Sequence, residues 1–155
     1  VKDGTDLKAR EKMMLASMFA GMAFTNALVH LGHSIAHTIR ARFHVAHGLA
    51  CALTMPEVVE YAAKTESEKV RMICEALDVA VPEDSTPEEV GKIAREALRA
   101  FLKQLDIPNM KEAGIPEESI EMLSPLVTAD TGFALCPYRI TSARVAEILH
   151  QAYDA

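Results

Sequence analysis

Apolar residues recur every three or four positions along most of the chain, and this spacing is typical of α-helices. The first such stretch, residues 6–42, contains no proline and carries methionines at four-residue intervals. Because so long a stretch exceeds an ordinary single helix, we expect a bend at Gly21 or Gly32, where helix propensity is lowest.

Residues with capping preferences mark the starts of the later helices. Thr86 and Glu89 have the spacing of a capping box, in which the threonine hydroxyl and the glutamate carboxylate each accept from the other residue's amide. Thr65 and Glu68 repeat that spacing and predict another helix start. Thr141 is predicted to cap the final helix.

Prolines and glycines divide the rest of the chain. Pro56 is expected to interrupt a helix, because proline lacks the amide donor and clashes with the preceding turn. Residues 108–116 predict a connector to a short helix over residues 117–123, and residues 124–140 are predicted to be irregular. No segment alternates β-branched and polar residues, so the predicted fold class is all-α: one helical domain of about six or seven helices over residues 1–155.

Composition and charge narrow the functions that this domain can have. A length of 155 residues suits one domain with a sizeable core, and a net charge of −6 argues against binding to nucleic acid. No apolar run approaches the roughly 20 residues that span a bilayer, and no secretory signal is found. The three cysteines form no CxxC motif, which suits a reducing compartment. We therefore expect a cytoplasmic protein without nucleic-acid or membrane partners.

Five of the six histidines lie within nineteen positions, which is the strongest chemical signal in the chain. On a helix, His30, His33 and His37 would share one face within an arc of roughly 100°. His44 and His47 follow in a predicted loop that can fold back onto that face. Neutral imidazole binds Zn, Fe, Ni or Cu and also transfers protons near neutral pH. The alternative is a set of unrelated, half-buried histidines, but their number favours a metal or catalytic site.

The stretch GMAFTNALVHLGHSIAHTIRARFHVAHGLACALTMPEVVEYA resembles the signature of the iron-containing (group III) alcohol dehydrogenases. Asn26, His33, the AH pair ending at His37, and the HG pair beginning at His47 fall in register with that signature. Further on, CPYRIT resembles the segment before the family's last helix. The resemblance implies a helical bundle like the C-terminal domain of dehydroquinate synthase-like and iron-containing alcohol dehydrogenases.

The resemblance also implies a role for each histidine in the cluster. His33 and His47 would be metal ligands, and His37 would lie by the substrate and the nicotinamide, where it assists proton transfer. His30 stands where the family carries glycine, and we expect a half-buried spectator. Arg40 replaces another glycine, either as a tolerated residue or as one that recognises an acidic substrate.

Three further positions lie outside the implied ligand set. His44 is expected to support the loop that leads from His37 to His47. His150 is expected to be a solvated residue of the last helix. Ala46 replaces the family's proline before the ligand histidine, which leaves the loop less restricted in the unfolded chain, an effect of under about 1 kcal/mol.

Part of the family's site has no counterpart in this sequence. The family takes an Asp and another His from a preceding helix, but no histidine precedes His30, and the seven glycines form no GxGxxG turn for a nucleotide. We therefore expect a partial domain, without the nucleotide-binding domain and the first metal-ligand helix. Two imidazoles should hold metal weakly. The exposed methionine-rich face of residues 13–24 should cause self-association, so a homo-oligomer is expected.

The expected function is that of a fragment of a metal-dependent alcohol dehydrogenase or reductase. The intact enzyme would transfer hydride between an alcohol or aldehyde and NAD or NADP, with Fe²⁺ or Zn²⁺ as Lewis acid. The isolated fragment is expected to be inactive. The alternative is a non-catalytic helical module that binds metal or a protein partner, and a third hypothesis is a degenerate domain kept for assembly. The upstream reading frame would separate the first two.

Overall fold

The computed structural model describes residues 3–155, and helices are the regular secondary structure found in that range. Seven α-helices lie within it: α1 (Leu7–Ala27), α2 (Leu31–Phe43), α3 (His47–Ala52), α4 (Met55–Ala76), α5 (Pro87–Gln104), α6 (Ile120–Thr128) and α7 (Ser142–Ala152). Two short 3-10 helices, Glu117–Ser119 and Thr131–Leu135, flank α6. The prediction of an all-α fold with about six or seven helices is confirmed.

Two apolar clusters hold the helices together. In the larger, α2 packs against α3 and α6, and α6 packs against α7; Ile35 and Ile39 of α2 are fully buried there. In the smaller, α4 and α5 lie side by side, with Val70 and Val90 buried between them. The helix that carries two of the clustered histidines is therefore anchored in the main core.

The long first stretch bends sharply, but neither predicted glycine is the bend. The axes of α1 and α2 differ in direction by 108°, and the break falls at residues 28–30, where Leu28 adopts a φ of 62°. Gly21 lies inside α1, and Gly32 is the second residue of α2. Leu31, directly after the break, is fully buried, whereas α1 has no buried residue. Burial of α2 in the core, rather than glycine propensity, therefore decides where the stretch divides.

The capping predictions have different outcomes. At the start of α5, Glu89 Oε2 accepts from the Thr86 amide at 2.8 Å and Thr86 Oγ1 accepts from the Glu89 amide at 3.3 Å, so this capping box is confirmed. Thr141 caps α7 as predicted. The start predicted at Thr65 coincides with a kink, because Glu66 is non-helical (φ −130°, ψ 39°) and divides Met55–Ala76 into two helical segments. The capping box predicted there is not formed, since the Thr65 hydroxyl donates to the Ala62 carbonyl instead.

The two proline predictions also differ. Pro56 lies in the first turn of α4, just after α3 ends, so the predicted interruption is confirmed. Pro125 lies inside α6, which extends to Thr128 through residues that were predicted to be irregular. Leu123 and Val127 on this helix are both fully buried, and their packing stabilises the turn that proline would otherwise weaken.

Within residues 3–155, no single helix is long and apolar enough to cross a membrane. When α1 and α2 are considered as one pair, joined by the 108° bend, they do have the length and apolar composition of a membrane-spanning segment.

Candidate metal centre

Three imidazole rings converge where α2 meets α3. His33 and His37 lie one turn apart on α2, with ring centroids separated by 6.1 Å. The His47 ring, at the start of α3, lies 5.6 Å from that of His33 and 5.7 Å from that of His37. The histidines that the sequence analysis singled out as metal ligands and catalytic residue are thus neighbours in space.

A tight turn brings the third ring onto the first two. His44 caps the C-terminus of α2 in the left-handed conformation (φ 55°, ψ 25°), and its amide donates to the Arg40 carbonyl at 3.0 Å. Val45 is buried directly after it, and α3 begins at His47. The His44 side chain is exposed and is not one of the converging rings, in agreement with its predicted place in the loop. Arg40 is also exposed, in the last turn of α2, where a cation is favoured by the helix dipole.

A thiol completes the group of donors on the α3 side. Cys51 lies one turn after His47, and its Sγ is 3.8 Å from His47 Nδ1. Ligand atoms of His33, His47 and Cys51 all lie within 4.8 Å of one another. The sequence analysis did not identify Cys51, although its four-residue spacing from His47 was the signal that could have done so. Burial raises the pKa of this thiol.

A carboxylate approaches His37 from the far end of the sequence. Asp130 Oδ2 lies 3.3 Å from His37 Nδ1, while Asp130 Oδ1 accepts from the Ser34 hydroxyl and from the Gly132 amide, each at 2.8 Å. Burial by itself acts to raise the pKa of Asp130. The hydrogen bonds from Ser34, Gly132 and His37 together have the larger effect, so the pKa of Asp130 is lowered. Asp130 is therefore a charged partner for the His37 ring, and no local sequence pattern indicated it.

The electrostatics favour neutral imidazole at the centre of the cluster. Burial lowers the pKa of His33, and the neighbouring His47, His37 and His30 lower it further. Neutral imidazole is the form that binds a metal ion. Two imidazole nitrogens and one thiol sulfur at this separation fit a divalent cation such as Fe²⁺ or Zn²⁺.

Three histidines, His30, His44 and His150, are not among these three converging rings. His30 is the N-cap of α2 and has non-helical backbone angles, so it does not lie on the helical face of His33 and His37, contrary to the prediction. Its half-buried ring packs edge-on against Tyr138 with centroids 6.1 Å apart, and burial lowers its pKa. His150 is exposed on α7, as predicted, and its Nε2 lies 3.4 Å from Glu121 Oε1.

The chain matches a known family along almost its whole length. Residues 1–153 match the model described as "Fe-containing alcohol dehydrogenase family, C-terminal". Alcohol dehydrogenase 4 of Saccharomyces cerevisiae is 34% identical over 154 residues, which cover 99% of this chain and 39% of that protein. Lactaldehyde reductase of Escherichia coli is 32% identical over 149 residues, which cover 96% of this chain and 39% of that protein. The chain thus spans about two fifths of the length of these curated relatives.

Solved structures agree with this match. The crystal structure of a 1,3-propanediol oxidoreductase superposes with a TM-score of 0.88 at 27% identity, covering 97% of this chain and 39% of that one. An alcohol dehydrogenase from Oenococcus oeni gives the same TM-score at 26% identity, with the same coverage of both chains.

Proposed function

The chain belongs to the Fe-containing alcohol dehydrogenase family, and from this premise we propose that it supplies the helical part of an oxidoreductase active site. The complete enzyme would transfer hydride between an alcohol or aldehyde and NAD or NADP. The observation that carries this proposal is the convergence of His33 and His47, whose ring centroids are 5.6 Å apart although they come from different helices.

His33 and His47 would hold a divalent cation, Fe²⁺ or Zn²⁺. When bound, that cation supplies Lewis acidity at the substrate oxygen. The two residues suit this task because α2 and α3 are packed against each other in the larger core, which fixes the relative positions of the backbone segments that carry the two rings. A catalytic ion generally has at least three protein ligands, so two imidazoles alone leave the set short.

His37 would move the proton of the substrate hydroxyl. Its side chain is exposed next to the other two rings, and Asp130 lies against its Nδ1. With that nitrogen facing the carboxylate, Nε2 is the atom that accepts the proton. The carboxylate of Asp130 stabilises the positive charge that the ring then carries.

The contacts to NAD(P) would lie in another part of the complete enzyme. The seven glycines of this chain form no GxGxxG motif, so no glycine-rich turn brings backbone amides against a pyrophosphate. We therefore expect the 155-residue chain alone to have little or no turnover.

The test uses the protein encoded by the complete reading frame that contains this chain. We expect bound metal and oxidation of simple alcohols with NAD⁺ or NADP⁺ in the wild type, and loss of both in His33→Ala and His47→Ala. His37→Gln should keep the metal and lose turnover, and His150→Ala should change neither. Unchanged metal content in both ligand variants, or robust turnover by the 155-residue chain alone, would contradict the proposal.

A non-catalytic module that binds metal or a protein partner is the second candidate. The observation that favours it is α1, whose apolar side chains are exposed along its whole length and offer a surface to a partner. The upstream reading frame distinguishes the two. A βαβ region with a glycine-rich turn and an Asp-x3-His pair supports the enzyme, and a start codon directly before Val1 supports the module.

A further inference from the structure

We propose that Cys51 is a third protein ligand beside His33 and His47, and that this chain alone offers a three-donor site for a thiophilic divalent cation of the Zn²⁺ class. The inference rests on the proposed function only in sharing the two imidazoles with it. It adds a donor that the sequence signature does not include.

His47 and Cys51 lie close enough together to bind one ion. They lie one turn apart on α3, so both side chains lie on one side of that helix. Cys51 Sγ is 3.8 Å from His47 Nδ1 and 4.0 Å from His47 Nε2. A zinc ion binds sulfur at about 2.3 Å and nitrogen at about 2.0–2.1 Å, so one ion can reach both donors only if they are less than about 4.3 Å apart. Either nitrogen of His47 meets that condition.

His33 brings the third donor from α2. Its ligand atom lies within 4.8 Å of those of His47 and Cys51. One ion binds all three donors once side-chain rotation brings every separation below about 4.3 Å. Three protein ligands with one open position form the usual arrangement of a catalytic zinc ion. The chain then does not depend on residues elsewhere to retain its metal.

The type of donor determines which cation is preferred. A thiolate is a soft ligand that selects Zn²⁺ over hard cations, whereas imidazole alone accepts Fe, Ni, Cu and Zn. When Sγ binds the cation, the thiol proton passes to solvent. The expected consequence is a site with higher affinity for Zn²⁺ than two imidazoles provide.

The chain contains a matched control for this assignment. Cys51, Cys74 and Cys136 are all free thiols; Cys74 is buried, whereas Cys51 and Cys136 are both half-buried. Cys136 follows the second 3-10 helix and is not a member of the donor group. Replacing Cys136 therefore removes a thiol of similar exposure and leaves the proposed site intact.

Co²⁺ replaces Zn²⁺ in such sites and reports its ligands by absorbance. The reduced 155-residue chain is titrated with Co²⁺ as wild type, Cys51→Ser, Cys136→Ser and His33→Ala, with folding checked by far-ultraviolet circular dichroism. We expect one Co²⁺ per chain, with sulfur-to-cobalt charge transfer in the near ultraviolet for wild type and Cys136→Ser. Cys51→Ser should lose that band and bind at least about tenfold more weakly, because even the loss of an outer hydrogen-bond partner costs that much at a metal site.

Two outcomes overturn the proposal. In one, Cys51→Ser binds Co²⁺ as tightly as wild type while His33→Ala does not, which leaves the two-imidazole centre of the proposed function standing. In the other, the folded wild-type chain binds no Co²⁺. The proposed function survives this second result too, because its own test measures metal and turnover in the protein encoded by the complete reading frame.

Discussion

Asp130 and His37 lie 93 positions apart in the sequence, yet Oδ2 of the first is 3.3 Å from Nδ1 of the second. Asp130 is itself held in place, since the Ser34 hydroxyl and the Gly132 amide both donate to its other oxygen. The His37 ring therefore has a fixed carboxylate neighbour at Nδ1, and this contact leaves its Nε2 available.

Asp130→Asn tests whether this contact orients the ring of His37 for its proposed role in proton transfer. The amide oxygen still accepts from Ser34 and Gly132, so the free energy of unfolding should change by less than about 1 kcal/mol. In the complete enzyme we expect kcat to fall about 10- to 100-fold, the usual cost of losing such an outer partner, with unchanged metal content and KM. Steady-state kinetics with metal analysis measures this. Wild-type kcat in a fully metal-loaded variant would exclude an orienting role.

Gly91→Ala tests the close approach of α4 and α5. A Cβ at this position would lie 2.7 Å from the carbonyl oxygen of Glu60 and 3.1 Å from Cβ of Ala63, so the two helices must move apart. We expect the free energy of unfolding to fall by about 1–3 kcal/mol in urea denaturation. Gly21→Ala is the control, because nothing lies within 4 Å of its new Cβ; alanine should stabilise exposed α1 by up to about 1 kcal/mol. Equal stability of Gly91→Ala and wild type would argue against this packing.

Arg99→Met tests a buried ion pair between α5 and α4. The Glu57 side chain is 1% exposed, and Arg99 donates to its Oε1 from Nε at 2.9 Å and from Nη2 at 2.6 Å. Arg99 also donates to the carbonyl of Gln151 at 2.9 Å. Removing the arginine leaves a buried carboxylate without its counter-ion, so we expect a loss of about 3 kcal/mol at neutral pH in chemical denaturation.

The pH dependence of that loss has a definite sign. Burial raises the pKa of Glu57 even though Arg99 and Arg95 act to lower it, so the folded chain holds this proton more tightly than the unfolded chain does. At pH values above the pKa that Glu57 has in the folded chain, the buried carboxylate is charged and lowers the free energy of unfolding. This loss of stability disappears as the pH falls through that pKa. The deficit of Arg99→Met relative to wild type should shrink on acidification, whereas that of Glu57→Gln/Arg99→Met should change much less. A deficit that grows in acid would contradict this assignment.

Met14→Lys/Met18→Lys tests the expected self-association. From residue 13 to residue 27, α1 carries no charged side chain, and Met14 and Phe19 are 73% and 60% exposed. An apolar helix left in water should associate, so wild type is expected to form oligomers at high concentration and the variant to be monomeric by light scattering. Met72→Lys, which changes an exposed methionine on α4, should still associate. A strictly monomeric wild type at the same concentrations would contradict the prediction.

Helix starts were predictable from sequence where the decisive contacts are local. The Thr86–Glu89 box forms because both partners lie within one turn and no competing contact opposes it. Thr65 has the same pattern and a kink lies beside it at Glu66, but its hydroxyl donates to the Ala62 carbonyl and forms no capping box.

The residues of the candidate site were also predictable only where short sequence spacings or the family signature reveal them. His33, His37 and His47 were found from helical spacing and from the family signature, and Cys51 could have been found from its spacing to His47. Asp130 could not, because its approach to His37 depends on how the segment after α6 returns to α2. Contacts over such a separation follow from topology, which periodicity does not encode.

The donor atoms sit on helices whose opposite faces form the core. His33 and His37 share α2 with Ile35 and Ile39, which are fully buried. A cavity made by replacing either isoleucine with a smaller residue would let α2 shift and would increase the distances between the donor atoms. Substitutions that weaken the core should therefore also weaken cation binding at the proposed site, so selection for thermal stability would favour the proposed metal site as well.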